Sequence, residues 1–194
     1  MNAQVAYALI THPTLAMQKV RTTKALGTGV VMLVAGSVSL AVAFALLKAE
    51  ATGAKAPAVI AAYVALVTLT SFAWWLFMGG LVHAAAGLMG GYGNFGRFLA
   101  AAGLALAPFT LCTPIVLLLS LLGGLGGVLY MVPILPLIHV WAWVLLIIGI
   151  KEVYGLSVGS AIVASLLPFL IIAALTLASL ATLVVTVLMS LGIC

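Results

Sequence analysis

The chain has 194 residues, of which 66% are apolar and only 5% are charged. Soluble domains contain about 45 to 50% apolar and about 25% charged residues, and seven basic and two acidic side chains are too few to cover a surface in water. The composition therefore excludes a soluble protein and indicates a protein that lies mainly in lipid. The net charge of +5 is too sparse for a nucleic-acid-binding stripe, so no nucleic-acid partner is expected.

Residues 1–24 mix apolar and polar positions and end in a basic cluster, Lys19, Arg21 and Lys24. This pattern is typical of an amphipathic helix in the plane of the membrane interface, with its apolar face towards the acyl chains and its cations towards anionic headgroups. The first long apolar run begins only after Lys24 and exceeds twenty residues. We therefore interpret that run as an uncleaved anchor and not as a signal peptide.

Five apolar segments predict five transmembrane helices and hence an all-α, polytopic membrane helix bundle that forms a single membrane domain over residues 1–194. The segments cover about residues 26–47, 58–89, 98–122, 134–150 and 169–190. At about 1.5 Å per residue the second helix would be about 48 Å long, too long for a hydrocarbon core of about 30 Å unless it is tilted or broken. We expect it to bend at Gly79 and Gly80.

Glycine and proline predict where the other helices are interrupted. Pro108 and Pro114 each remove a backbone donor from the third span, so neighbouring groups must satisfy the freed carbonyls. The sequence GGLGGVLYMVP at residues 123–133 is expected to form an uncharged loop. Pro168 is expected to divide the last apolar stretch into a short slanted or interfacial helix and the span that begins at Phe169.

The distribution of Lys and Arg predicts the orientation. A cytoplasmic N-terminus puts five basic residues inside, Lys19, Arg21, Lys24, Arg97 and Lys151, and two outside, Lys48 and Lys55. The positive-inside rule favours this arrangement over its inverse, and an odd number of spans then places the C-terminus outside.

Two long stretches resemble the bacterial and archaeal branch of the Yip1-domain family: AWWLFMGGLVHAAAGLMGGYGNFGRFLAAAGLALAP and PLIHVWAWVLLIIGIKEVYGLSVGSAIVASLLP. The likeness covers residues 13–175. The resemblance implies a five-span bundle with a cytoplasmic N-terminus. Eukaryotic relatives are associated with Rab GTPases and with traffic between endoplasmic reticulum and Golgi, but this sequence contains no Asp-Leu-Tyr-Gly-Pro segment, and the branch supplies no settled activity. The short tails favour a bacterial inner membrane.

Two histidines, His83 and His139, lie in predicted spans, where an ionisable side chain is a functional hypothesis by default. The alternative is a neutral imidazole bonded to a backbone carbonyl or a hydroxyl. The predicted boundaries place His83 near the inner end of its span and His139 near the outer end of its own, roughly 12 Å apart along the membrane normal. Zinc ligands lie about 2 Å from the ion, so no metal site is expected, and no motif indicates a cofactor.

The predicted topology also gathers a polar patch at the inner face. Its members are Tyr92, Asn94, Arg97, Lys151, Glu152 and Tyr154. The alternative is ordinary loop capping together with phosphate anchoring by Arg97 and Lys151. Trp141 and the other three tryptophans could stack on a substrate, or they could pack the bundle and anchor it at headgroup depth.

Catalysis has little support, because Glu50 and Glu152 are the only carboxylates and the topology places them on opposite sides of the membrane. Our first hypothesis is a noncatalytic membrane protein that organises the membrane or binds lipids, a homo-oligomeric partner or other membrane proteins. The second hypothesis is a transporter of a small molecule or lipid that uses proline-broken helices with His83 and His139.

Overall fold

The computed structural model of the chain describes residues 11–22, 26–52 and 56–190, and these residues are helical apart from short turns. The α-helices are α1 (Pro13–Thr22), α2 (Leu26–Thr52), α3 (Pro57–Leu88), α4 (Phe95–Ala105), α5 (Cys112–Leu119), α6 (Gly124–Leu129), α7 (Leu135–Tyr154) and α8 (Val158–Ser190). Two 3₁₀ helices, Ala107–Leu111 and Ser120–Leu122, and a π-helix, Tyr130–Ile134, connect α4 to α7. The basic residues Lys24 and Lys55 lie outside the described residues.

Five helical stretches within the described part of the chain are long and apolar enough to cross a membrane. They are Leu26–Glu50, Pro57–Leu88, Phe95–Leu122, Gly124–Tyr154 and Val158–Val187. In lipid every backbone polar group must be satisfied within the protein, and a helix does this within its own segment. The prediction of an all-α, five-span membrane helix bundle is confirmed.

The second span is one continuous helix through Gly79 and Gly80, where we expected a bend. Gly79 has a different task, because a Cβ at this position would lie 2.7 Å from Cδ2 of Leu99. The missing side chain therefore lets α4 pack closely on α3. A Cβ on Gly80 would meet nothing within 4 Å, so Gly80 makes no comparable contact.

The third span breaks after Ala105, where the 3₁₀ helix that contains Pro108 joins α4 to α5. Pro114 has no N–H, so the carbonyl of Thr110 loses the donor that a regular helix would provide. Ser39 of α2 replaces it: its Oγ donates to the Thr110 carbonyl at 3.0 Å and accepts from the Thr113 N–H at 3.0 Å. The expectation that neighbouring groups satisfy the proline-broken span is confirmed here.

The prediction of a loop at residues 123–133 is wrong. The chain reverses at Gly123, which has a positive φ of 59°, and then continues as α6 and the π-helix into α7. Gly126 allows this tight return, since a Cβ there would overlap the Leu119 carbonyl. An uncharged segment at membrane depth must bond its own backbone, so it folds as helix despite its glycines. The fourth span therefore begins at Gly124, ten residues before the predicted start at residue 134.

The fifth span is also longer than predicted, because α8 continues through Pro168 without ending. The expected separate interfacial helix before Phe169 is wrong. Before the proline, α8 packs on α3 and α7 through the fully buried Ala161, Ala164 and Ser165. After it, almost every described side chain is exposed.

The N-terminal helix α1 packs against the bundle and does not simply present its apolar face to the acyl chains. Ala16 and Met17 are buried in the same cluster as Leu145 and Ile150 of α7, and the Met17 sulfur lies 3.8 Å from the position of a Cβ on Gly149. The expectation that the apolar face points into lipid is thus wrong for these two residues. They fix α1 to α7, at the end of the bundle that also carries the α3–α4 and α7–α8 turns.

Candidate functional site

A cavity of about 640 Å³ lies between the helices and opens to the bundle surface, where the lining residues Trp74, Val140 and Phe169 are exposed. Its walls come from α2, α3, α4 with the following 3₁₀ helix, α7 and α8, so every span contributes to it. Most of the lining is apolar. The polar side chains in the wall are Ser37, Ser71, His139, Trp74, Trp75 and Trp143, and no Asp, Glu, Lys or Arg of the described chain lines the cavity.

The polar groups of the cavity lie midway along their spans. His139 is fifteen residues from each end of the span Gly124–Tyr154. Ser71 lies fourteen residues after Pro57, in the central part of its 32-residue span. The sequence-based placement of His139 near the outer end of its span is therefore wrong, and the cause is the extended start of the fourth span. The cavity therefore lies along the middle part of the spans, and the middle of a transmembrane span is where a polar or ionisable side chain is most costly.

His139 is held by its own helix. Its Nδ1 lies 2.8 Å from the carbonyl oxygen of Leu135, and the Phe109 ring meets the imidazole edge to face at 4.8 Å between centroids. A carbonyl only accepts, so Nδ1 is the donor of this bond, and in the tautomer with a single proton on Nδ1 the Nε2 atom is an acceptor. The bonding that we gave as the alternative to a functional role is thus present, yet the ring still lines the cavity through α7.

The indole of Trp75 is the most deeply buried of the tryptophans, with 7% of its surface exposed. Its ring packs against Phe72 at 5.6 Å between centroids. Within the described residues its Nε1–H finds no hydrogen-bond acceptor, which is unusual for a buried donor. Trp141 does not line the cavity and is 37% exposed, as expected of a tryptophan at the bundle surface.

His83 does not line the cavity. Its Nδ1 lies 2.5 Å from the hydroxyl of Tyr154, and its ring also packs on Phe95 at 5.2 Å between centroids. The sequence suggested a carbonyl or a Ser/Thr hydroxyl as partner, and the actual partner is a tyrosine on the fourth span. His83 and His139 thus make separate sets of contacts. Among residues 11–22, 26–52 and 56–190, no group of three or more His, Cys, Asp and Glu side chains could hold a metal ion.

Tyr154 also joins the two turns that the predicted topology places on one face. The N–H of Tyr92 donates to the Tyr154 carbonyl at 3.2 Å. Gly91 and Gly93 lie so close to the Tyr154 side chain that a Cβ on either residue would collide with it. The glycine-rich turn after α3 therefore packs directly on the end of α7. We call this end of the bundle, with residues 89–97 and 151–157, the turn end.

The remaining residues of the predicted inner-face patch have mostly local roles. Asn94 caps α4 by accepting from the Arg97 N–H at 3.2 Å. Lys151 donates to the largely buried Glu152 carboxylate at 2.8 Å. The side chains of Tyr92 and Arg97 are exposed, Tyr92 to 96%. The structure brings these residues to the turn end, but it does not arrange their side chains around one enclosed site.

The sequence analysis missed Ser37 and Ser71, which supply hydroxyl groups to the cavity wall. A signal was present, because each is a small polar residue near the middle of an otherwise apolar span. Serine is common in membrane helices, however, and it bonds readily to its own helix, as Ser37 Oγ does to the Val34 carbonyl at 3.1 Å. Only the packing of the five spans shows that both serines line the same cavity.

The model of the Yip1 domain matches residues 7–191, nearly the whole chain. The chain belongs to the Yip1-domain family. Comparisons with curated proteins and with solved structures give no match. Family membership and the five apolar spans together establish this Yip1-domain protein as an integral membrane protein.

Proposed function

We propose that this Yip1-domain protein is a noncatalytic lipid-binding protein that organises its membrane by holding a lipid chain in the cavity between its five spans. The cavity carries the proposal. Its volume of about 640 Å³ falls in the range of small-molecule sites, about 300 to 1,000 Å³. Its walls are apolar and uncharged, and the molecules that surround a transmembrane bundle are lipids.

A noncatalytic role agrees with the chemistry of the cavity wall. The wall holds one imidazole, three indoles and two serine hydroxyls, but no carboxylate or amine of the described chain. Neither glutamate of the sequence lines it, so the site has no acid and base pair to move protons in a reaction.

Native mass spectrometry of the protein released from nanodiscs tests this function. A Ser71→Phe substitution would place a ring in the cavity, and we expect several-fold less bound lipid. Thr70→Phe is the matched control, since it also removes a hydroxyl from α3 but at an exposed position outside the cavity wall. Equal lipid retention by the two variants would contradict the proposal.

The charge distribution supports the orientation that we propose, and the bacterial inner membrane is a further part of the proposal. We place the N-terminus and the turn end in the cytoplasm and the C-terminus outside, in a bacterial inner membrane, with Arg97 and Lys151 near lipid phosphates. Association with a second copy or with other membrane proteins stays a prediction. Cysteine labelling of Tyr92→Cys from either side of sealed vesicles would test the orientation, because this side chain is almost fully exposed.

Transport of a lipid or small molecule is the second candidate, and one observation favours it. Three spans that line the cavity contain helical irregularities: the 3₁₀ helix at Ala107–Leu111 in the third span, the π-helix at Tyr130–Ile134 in the fourth, and Pro168 in the fifth. Broken helices line the binding sites of many transporters. A proteoliposome assay of fluorescent-lipid translocation separates the candidates, because transport requires flux that His139→Ala or Ser71→Phe lowers, whereas a lipid-holding protein gives none.

A further inference from the structure

The polar side chains of the cavity wall include groups near the middle of the spans. His139 and Ser71 lie near the middle of their spans, and both line the cavity. Lipid chains are apolar at this depth, so a chain alone would leave these groups without partners. An unmet hydrogen-bonding group in an apolar interior costs free energy. The positions of these groups thus point to an occupant with a polar group at mid-membrane.

The hydrogen-bonding groups of the cavity wall determine which polar group of an occupant they can bind. His139 presents Nε2 as an acceptor, because its Nδ1–H is used by the Leu135 carbonyl. The Nε1–H of Trp75 also lacks an acceptor among the described residues, but this atom is buried and a molecule in the cavity does not reach it. The wall thus has an acceptor without a donor, and a hydroxyl group can supply that donor.

Charge and volume narrow the class further. No charged side chain of the described chain lines the cavity, so a phosphate or carboxylate would enter an apolar site without a counter-ion, at high cost. At about 30 Å³ for each group of the size of a water molecule, a cavity of about 640 Å³ holds roughly twenty such groups. This is enough for one long chain.

We propose that the cavity binds a neutral, single-chain lipid alcohol whose hydroxyl donates a hydrogen bond to Nε2 of His139. The chain lies along the apolar walls formed by the five spans. This inference rests on the proposed lipid-binding function and specifies the ligand class of the same site.

A tryptophan-quenching experiment tests the inference with defined probes. The reporter protein keeps Trp75 and carries Phe in place of Trp74, Trp141 and Trp143; because Trp75 is buried, bulk lipid reaches it poorly. Dibromo-octadecanol and its methyl ether are titrated into nanodiscs of unbrominated phospholipid. The two probes have the same chain and the same quencher, but only the alcohol donates a hydrogen bond.

We expect half-maximal quenching of Trp75 at an alcohol content about threefold to tenfold lower than that of the ether, the effect of one neutral hydrogen bond. His139→Phe should abolish this difference and keep the ring contact with Phe109. His139→Gln, which retains an acceptor, should restore part of it. If the reporter does not fold, displacement of bound lipid from the unmodified protein by the same two probes, followed by native mass spectrometry, gives the same comparison.

The outcomes separate this inference from the proposed function. Equal quenching by alcohol and ether, blocked in both cases by Ser71→Phe, would overturn the alcohol specificity and leave lipid binding intact. A preference for the alcohol that survives in His139→Phe would overturn the role of His139. Quenching that Ser71→Phe does not change for either probe would contradict lipid binding in the cavity, and the inference would fail with it.

Discussion

The imidazole of His83 and the hydroxyl of Tyr154 form a hydrogen bond of 2.5 Å that joins the second span to the end of the fourth. Tyr154 also contacts Phe98 of α4, at 5.6 Å between ring centroids, and accepts the Tyr92 N–H through its carbonyl. One residue thus connects α3, α4, α7 and the glycine-rich turn.

Removing the Tyr154 hydroxyl should destabilise the bundle. Tyr154→Phe leaves Nδ1 of His83 without its partner, and we expect the free energy of unfolding to fall by about 1 to 3 kcal/mol. A double-mutant cycle with His83→Phe should give a coupling energy of about 0.6 to 1.7 kcal/mol. Reversible unfolding in mixed micelles measures both quantities. Strictly additive effects would show that the bond contributes nothing.

The contact between Gly93 and Tyr154 predicts a steric effect at the same joint. A Cβ on Gly93 would overlap the Tyr154 ring, so Gly93→Ala should lower thermal stability, with a cost of about 1 to 3 kcal/mol. Gly87→Ala is the control, because a Cβ there meets nothing within 4 Å and alanine favours the helix by up to about 1 kcal/mol. The two variants should shift the melting temperature in opposite directions.

The crossing of α2 and α4 gives a second glycine prediction. A Cβ on Gly29 would lie 2.7 Å from the backbone of Ala100, and one on Gly103 would overlap the backbone of Gly29. Gly29→Ala should therefore separate the helices and destabilise the protein by about 1 to 3 kcal/mol. Gly27→Ala, on the same helix but with open space around it, should be neutral or stabilising. Equal unfolding midpoints for the two variants would contradict this packing.

Ser39 supports the break in the third span, and its removal should be costly. Ser39→Ala would leave the Thr110 carbonyl and the Thr113 N–H without the bonds that they now make, at an expected cost of about 1 to 3 kcal/mol. Ser37→Ala is the matched control, since this hydroxyl donates only within its own helix. Faster amide hydrogen exchange at residues 110–113 in Ser39→Ala alone would support the prediction, and unchanged exchange would refute it.

The number of spans could be predicted because the hydrocarbon core requires long apolar stretches, and five such stretches are separated by charge, glycine or proline. The start of the fourth span could not be predicted in the same way. The segment GGLGGVLYMVP contains the glycines that are typical of a loop, but it has no charged side chain to keep it in water. In water such a sequence would leave the helix, whereas in lipid its backbone must stay bonded. The error also placed His139 at the wrong depth.

The cavity itself could not be predicted, although His139 was singled out by its chemistry. The spans are apolar on all faces, so their sequences do not indicate which side turns inward. Ser71 and Trp75 line the cavity while Thr70 is exposed. The sequence alone does not show which face of α3 lines the cavity and which face is exposed. The sequence predicted that the carbonyl freed by Pro114 needs a new hydrogen-bond donor. It could not identify Ser39 as that donor, because the choice depends on how α2 packs against the third span.

The last helix extends well beyond the packed part of the bundle. With 33 residues at about 1.5 Å each, α8 is about 50 Å long, and the side chains that follow Pro168 are almost all exposed. Helices that exceed the local bilayer thickness respond to the mismatch by inclining, at a modest energetic cost. In this protein such a response falls on the half-helix beyond Pro168, while Ala161 and Ala164 keep the first half in place. A thinner or thicker host membrane therefore acts first on the distal half of α8.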